Sequence, residues 1–173
     1  MASDTPFSPG RRSFLSLSSS EGKDTVRLRP PWTDEAAIAA ACTGCSDCIG
    51  VCPENILRAD PRGAPMVEFD GGECTFCGKC AEACQEDVFD TTRTPPWPFK
   101  ANLGDGCLQE LGISCQLCRD VCPASAISVD LSQRPVGRLL IDSEACTGCG
   151  TCLGTCPEEA LVFSDMSHGA GKA

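Results

Sequence analysis

The sequence predicts a small, metal-stapled α+β protein that is built from two tandem modules. Sixteen of the 173 residues are cysteine, against only seven phenylalanines and two tryptophans. So few bulky side chains make a weak core, and a cysteine content this high is typical of chains that metal or disulfides hold together. The cysteines also fall into four runs of similar spacing, and the same proline–tryptophan motif precedes the first run and the third. We therefore expect the cysteines to carry the fold as well as the chemistry.

Residues 1–29 are predicted to form a flexible basic N-terminal arm, because they are rich in Ser, Arg and Gly and show no periodicity. Arg11 and Arg12 are similar to the start of a twin-arginine export signal, which needs an apolar stretch of about 7–15 residues next. Serine and charged residues follow from position 18 instead. We therefore expect a cytoplasmic protein, and the reducing cytoplasm argues against a disulfide framework.

The formal net charge of −10 narrows the choice of partner. It disfavours binding to nucleic acid or anionic lipid and favours a partner with a basic docking face. The longest apolar run covers only residues 36–42, far below the roughly 20 residues that span a bilayer. We predict no nucleic-acid binding and no membrane insertion.

The folded part is predicted to open with Pro30-Pro31-Trp32 and a short helix over residues 35–41. Thr33 or Asp34 can cap that helix, because both side chains accept hydrogen bonds from the first free backbone N–H groups.

The cysteine runs follow the pattern C-x2-C-x2-C-x3-C with one exception. Run one is Cys42, Cys45, Cys48 and Cys52; run two is Cys74, Cys77, Cys80 and Cys84; run three is Cys107, Cys115, Cys118 and Cys122; run four is Cys146, Cys149, Cys152 and Cys156. The exception is the first gap of run three, where Cys107 stands eight positions before Cys115. Proline follows the last cysteine of every run except run two, where Gln85 follows Cys84.

A longer repeat includes these runs. Trp32 precedes Cys42 by ten residues, and Trp97 precedes Cys107 by the same ten residues. Such internal repeats indicate repeated structural units. We predict a first module over 30–94, a second over 95–164 and a flexible tail over 165–173, with each tryptophan packed against its own module.

The segment between the two runs of each module is predicted to form a β-hairpin. In the first module, residues 55–57 lead to a turn at 60–63 and residues 66–69 return. In the second, residues 126–129 lead out and residues 138–141 return. Short apolar and β-branched segments between Gly, Pro and Asp turns are typical of hairpins, although irregular loops stay open.

The spacing of the runs indicates iron–sulfur clusters. Three cysteines in a tight loop can hold three irons of a 4Fe–4S cube, and in two-cluster ferredoxins the last cysteine of each run serves the other cluster. Gly44, Gly78, Gly148 and Gly150 lie inside the runs, where the backbone has to turn closely around the cube. Zinc sites usually use two cysteine pairs and four ligands in total, so zinc and disulfides fit this pattern less well.

The predicted fold is therefore two tandem bacterial-ferredoxin-like modules, each binding two 4Fe–4S clusters, four in all. Adjacent pairing predicts clusters on Cys42/Cys45/Cys48/Cys84, on Cys74/Cys77/Cys80/Cys52, on Cys107/Cys115/Cys118/Cys156 and on Cys146/Cys149/Cys152/Cys122. A nested scheme, in which run one shares clusters with run four, stays open. If Cys107 does not reach its iron, its cluster becomes a 3Fe–4S centre.

No catalytic residues are predicted. The sequence contains no Ser-His-Asp set, carboxylate pair or glycine-rich nucleotide loop. The single histidine, His168, lies in a tail of small residues and is expected to be solvated.

Together these features resemble the NapF family, the ferredoxin-type accessory proteins of the bacterial periplasmic nitrate reductase system. The features are Arg11-Arg12, Arg29-Pro30-Pro31-Trp32, the four runs, and the widened gap from Cys107 to Cys115. The resemblance covers about residues 11–164. It implies a cytoplasmic protein with four 4Fe–4S clusters in which all sixteen cysteines are ligands.

The resemblance also implies a partner, the catalytic molybdoenzyme subunit of periplasmic nitrate reductase. The protein is expected to assist maturation of that subunit before export, by electron or cluster transfer. The alternative is a general electron-transfer polyferredoxin or an electron-transfer subunit of a redox complex. In either case we expect no substrate turnover, and the role of the Arg11-Arg12 arm stays open.

Overall fold

In a computed structural model of the protein, the described residues are 27–165. The predictions for the arm with Arg11 and Arg12, and for the tail with His168, lie outside them. The elements are α1 (Glu35–Ala41), α2 (Asp47–Gly50), β1 (Leu57–Ala59), β2 (Pro65–Val67), α3 (Lys79–Glu82), β3 (Phe99–Leu103), α4 (Leu117–Asp120), β4 (Ile127–Asp130), β5 (Arg138–Ile141), α5 (Thr151–Thr155) and β6 (Leu161–Asp165). Within this part of the chain, no helix has the length and apolar character needed to cross a membrane.

The predicted helix over residues 35–41 is confirmed as α1, and its cap is Asp34. The Asp34 carboxylate accepts a hydrogen bond from the backbone N–H of Ala37 at 2.9 Å, while its own backbone is extended. The helix ends where Cys42 turns to an extended conformation, and it buries Ile38 against the first module.

Both predicted hairpins are present. Strands β1 and β2 pair antiparallel with Leu57 opposite Val67, and β4 and β5 pair with Ile127 opposite Ile141. Strand β1 starts two residues later than predicted. The reason is that Asn55 has a φ of 52°, a left-handed conformation that no strand can include.

A third two-stranded sheet is present that the sequence did not predict. Strands β3 and β6 pair antiparallel from Phe99 opposite Asp165 to Leu103 opposite Leu161. The two strands lie about sixty positions apart in the chain, so no turn signal announces their pairing. This sheet closes the second module and buries Ala101 in its core.

Trp97 lies between the two modules, and the prediction that it packs against its own module is wrong. Its side chain is only 1% exposed. It makes edge-to-face contacts with Phe69 and Phe76 of the first module and with Phe99 and Phe163 of the second, at centroid distances of 5.7 to 6.3 Å. Most of the aromatic residues between positions 27 and 165 therefore lie at the junction of the modules.

Arg29 belongs to the folded body, and its inclusion in the predicted arm of residues 1–29 is wrong. Its side chain is 3% exposed and donates hydrogen bonds to Glu35, to Asp60 and to the carbonyl of Pro65. The hydrogen bonds from Arg29 lower the pKa of Glu35 and of Asp60 to about 2. Sequence patterning missed this role because the partners of Arg29 are up to 36 residues away.

Candidate metal centres

In the described part of the chain, residues 27–165, four small pockets are each lined by four cysteines. We call them sites 1 to 4 by the run that supplies most of their cysteines. Site 1 is lined by Cys42, Cys45, Cys48 and Cys84; site 2 by Cys52, Cys74, Cys77 and Cys80; site 3 by Cys107, Cys115, Cys118 and Cys156; site 4 by Cys122, Cys146, Cys149 and Cys152.

Each site combines the first three cysteines of one run with the last cysteine of the other run in the same module. Adjacent pairing requires this arrangement. The nested scheme would instead place cysteines of runs one and four at the same site. None of the sixteen cysteines forms a disulfide bond. The ligand assignment stays a prediction, and the grouping of the cysteines around four cavities supports it.

Short helices place the third cysteine of each run. Cys48, Cys80, Cys118 and Cys152 lie in α2, α3, α4 and α5 respectively. In runs one, two and four the residue before the helix is left-handed, with φ between 69° and 86°. This reversal curls the run around its cavity, and glycine adopts the conformation without strain at two of the three positions.

The hairpin turn of the first module covers site 1. A Cβ added to Gly44 of run one would lie 3.6 Å from the carbonyl oxygen of Gly63, so turn and run are in close contact. Asp60 holds the turn in shape, since its carboxylate accepts the backbone N–H of Ala64 at 3.0 Å. The guanidinium of Arg29 in turn donates a hydrogen bond of 2.9 Å to the Asp60 carboxylate. Arg29, which precedes helix α1, therefore supports the wall of site 1.

The widened gap of run three is an ordered loop that Gln109 holds in place. Gln109 is 1% exposed. Its amide nitrogen donates to the carbonyls of Val136 and Gly137, at 2.6 and 3.2 Å, and its amide oxygen accepts the N–H of Cys115 at 2.9 Å. These bonds tie the loop to the second hairpin and keep Cys107 at the wall of site 3. Only the spacing anomaly pointed to this loop in the sequence, and nothing singled out Gln109.

We expect Gln109→Ala to release the loop and to cost site 3 one iron, because two carbonyls and one N–H lose their buried partner. An electron paramagnetic resonance signal of an oxidised 3Fe–4S centre should then appear, with about one iron fewer per chain. Gln133→Ala is the matched control, since Gln133 is exposed on the same hairpin. A variant that keeps its full iron content would show that Cys107 is held by other means.

The thiols at these sites are suited to a cationic core. Burial raises the pKa of Cys48, Cys80 and Cys118 to about 11 and that of Cys74 and Cys152 to about 12. Neighbouring cysteines oppose ionisation further, because several thiolates in one cavity repel each other. A positively charged iron–sulfur core removes that repulsion and takes the thiols as thiolates. The donor set therefore fits 4Fe–4S clusters.

Two further features describe the surroundings of the sites. Between residues 27 and 165, no group of three or more His, Cys, Asp or Glu side chains is placed to hold a single metal ion. The cysteines line a space instead.

The indole N–H of Trp97 is buried without a partner, beside Gly148 of run four. Buried donors rarely stay unpaired, and the anionic sulfurs of a bound cluster are acceptors.

A comparison with known protein families finds the 4Fe-4S dicluster domain twice in the chain, at residues 41–88 and 113–160. Each match lies within one of the two predicted modules, whose bounds stay predictions. The first match contains all eight cysteines of runs one and two. The second contains every cysteine of runs three and four except Cys107, which lies before it.

Among characterised proteins, the chain is similar to the ferredoxin-type protein NapF of Haemophilus influenzae, with 42% identity over 164 residues that cover 94% of this chain and 93% of the relative. The ferredoxin-type protein NapF of Escherichia coli K12 is 37% identical over 136 residues, covering 78% and 83%. A methylamine utilization ferredoxin-type protein, MauM of Methylorubrum extorquens, is 33% identical over 157 residues, covering 79% and 70%.

Proposed function

The chain belongs to the NapF family of ferredoxin-type iron–sulfur proteins, and from this premise we propose that it binds four 4Fe–4S clusters and assists a nitrate reductase. The observation that carries the proposal is the set of four cavities, each lined by four cysteines from two runs of one module. The number of sites equals the number that the sixteen cysteines can fill.

When bound, such clusters accept and donate single electrons. The chain itself binds and orients them, and it limits their contact with water. The third cysteine of runs one, three and four is at most 8% exposed, whereas Cys45 and Cys77 are exposed. Sites 1 and 2 therefore have an edge that faces solvent, which is suited to exchange with a partner.

The first test is the composition of anaerobically purified protein. We expect a brown protein with about sixteen iron and sixteen sulfide per chain, four of each per cluster. Cys84→Ser should lower the iron content at site 1 and leave the iron of the second module in place. In adjacent pairing, the last cysteine of each run binds a cluster of its own module only. A colourless protein that contains about four zinc ions would overturn the proposal.

The partner that we propose is the catalytic molybdoenzyme subunit of periplasmic nitrate reductase, met in the cytoplasm before export. The NapF family membership and the acidic charge support this role, since an acidic carrier is steered toward a basic face. Anaerobic co-purification of the two proteins tests it. The variant without residues 1–26 separates the arm from the folded body, which includes Arg29, so a deletion through residue 29 would damage the fold.

A general electron-transfer role is the second candidate, because the MauM relative belongs by its name to methylamine utilization and not to nitrate reduction. Cluster mobility separates the two roles. Protein labelled with ⁵⁷Fe and mixed with the apo-form of the molybdoenzyme subunit should lose label to that subunit if it delivers clusters. Label that stays in place while electrons flow would favour the electron carrier.

A further inference from the structure

The cysteine loops of run two and run four touch across the junction of the modules. The backbone N–H of Cys74 donates a hydrogen bond to the carbonyl of Cys149 at 2.7 Å. Cys74 lines site 2 and Cys149 lines site 4. A cysteine of one module is thus joined to a cysteine of the other through one hydrogen bond.

The packing around this bond is tight. The hydroxyl of Thr151 donates to the carboxylate of Glu73 beside it. A Cβ on Gly150 would lie 2.2 Å from the ring of Phe69, and a Cβ on Gly154 would lie 2.6 Å from the backbone oxygen of Phe69. Both distances are below any real contact, so the junction closes to this extent only because these positions carry no side chain.

Within each module the sites are linked as well. Sites 1 and 2 exchange their last cysteines, and helices α2 and α3 pack against each other. Sites 3 and 4 do the same, with α4 packed against α5. Between residues 27 and 165, the bond from Cys74 to Cys149 is the one backbone hydrogen bond that joins a site cysteine of the first module to a site cysteine of the second.

We propose that the four sites form one electron path in the order site 1, site 2, site 4, site 3. This rests on the proposed function, because all four sites have to hold clusters. Each step moves one electron from a reduced site to its oxidised neighbour, without a proton and without a bond made or broken. The order of the runs in the sequence would instead place site 3 next to site 2. Tunnelling rates fall steeply with distance, so the contact between runs two and four decides the route.

Magnetic coupling between reduced clusters tests the order. In protein reduced with dithionite, the signal of site 2 should be broadened by spin–spin interaction with site 4. The double variant Cys149→Ser/Cys152→Ser, which removes site 4, should abolish the magnetic coupling between the modules. The double variant Cys115→Ser/Cys118→Ser, which removes site 3, should leave that coupling intact. Coupling that persists without site 4 and disappears without site 3 would overturn the proposed order.

A second pair of variants keeps every cysteine in place. Gly154→Ala is expected to push the junction open, to speed hydrogen exchange of the Cys74 amide by at least tenfold and to weaken the coupling between the modules. Gly50→Ala is the matched control: Gly50 stands at the same position of run one, two residues after the third cysteine, and a Cβ there meets nothing within 4 Å. Equal rates of hydrogen exchange at the Cys74 amide in the two variants would overturn the proposed junction.

The two levels of the proposal fail separately. Iron and sulfide contents far below about sixteen would contradict the proposed function itself. Full iron and sulfide contents, together with coupling between sites 2 and 3 and none between sites 2 and 4, would leave that function standing and remove only the path.

Discussion

Trp97→Ala should lower the free energy of unfolding by about 3–5 kcal/mol, the usual cost of removing a large aromatic side chain from a packed core. Trp97 is nearly inaccessible and touches aromatic rings of both modules. In a protein of this size the loss lowers the melting midpoint by roughly 10 °C or more. Anaerobic heating, followed by the visible absorbance of the clusters, measures the change.

Trp32→Ala is the control from within the same repeat. Trp32 occupies the position in the first module that Trp97 occupies in the second, but it is half-buried and its aromatic contact is to Phe76, at 6.4 Å. We expect a clearly smaller fall in the midpoint. Equal falls for the two variants would mean that the junction contributes no more than an ordinary surface contact.

Arg29→Met should destabilise the first module and loosen site 1. Methionine keeps the length of the side chain but removes the nearest cation of the fully buried Asp60 carboxylate, which lies 2.9 Å from Arg29. Arg62 and Arg27 are farther from that carboxylate, at 3.6 and 4.0 Å, and their side chains are half-exposed. Breaking a buried ion pair on one side is strongly destabilising, and we expect the midpoint to fall by roughly 10 °C. The iron of site 1 should be lost first, because the turn at Asp60 covers that cavity.

Two further variants make this result specific. Arg62→Met removes a half-exposed arginine that pairs with Glu35 and, at 3.6 Å, with Asp60, and pairs of such an exposed side chain contribute little. Asp60→Asn added to Arg29→Met should recover part of the loss, since the amide oxygen still accepts the N–H of Ala64 while the buried charge is gone. No recovery in the double variant would contradict the role of the ion pair.

The pH dependence of this effect follows from the lowered pKa values. The ordinary pKa is 3.8 for Asp60 and 4.5 for Glu35, and in the folded protein both lie at about 2. The stabilisation is therefore present above the ordinary values and is lost as the pH falls toward 2. The midpoint difference between the native protein and Arg29→Met should be largest near neutral pH and should shrink as the pH falls toward about 2, because protonation of Asp60 and Glu35 removes the charges that Arg29 pairs with. A difference that does not shrink on acidification would contradict the assignment.

Much of the site could be predicted from the sequence because its information is local. The spacing of the cysteines indicated the type of cluster, and the turn residues at 60–63 located the first hairpin. The helix over residues 35–41 followed from its capping residue and its alanines. In each case the residues that decide the structure lie within a few positions of one another.

Contacts between distant parts of the chain carried no such signal. Gln109 is an ordinary polar residue in the sequence, and only the fold brings the carbonyls of Val136 and Gly137 to its amide. Composition placed Arg29 in the predicted arm, and no local pattern indicated its partners Asp60 and Pro65, which lie more than thirty positions away. Both residues support a wall of a cysteine cavity.

By itself, the sequence determined the local arrangement of sixteen thiols in four short loops, and it predicted iron–sulfur sites there because the spacing within a loop limits which thiols can reach one cluster. Only the tertiary structure decided how the two modules meet. That contact depends on the burial of Trp97 between four phenylalanines and on glycines that allow runs two and four to touch. Packing of this kind is a property of surfaces that meet in space, and the order of residues along the chain does not encode it in any local pattern.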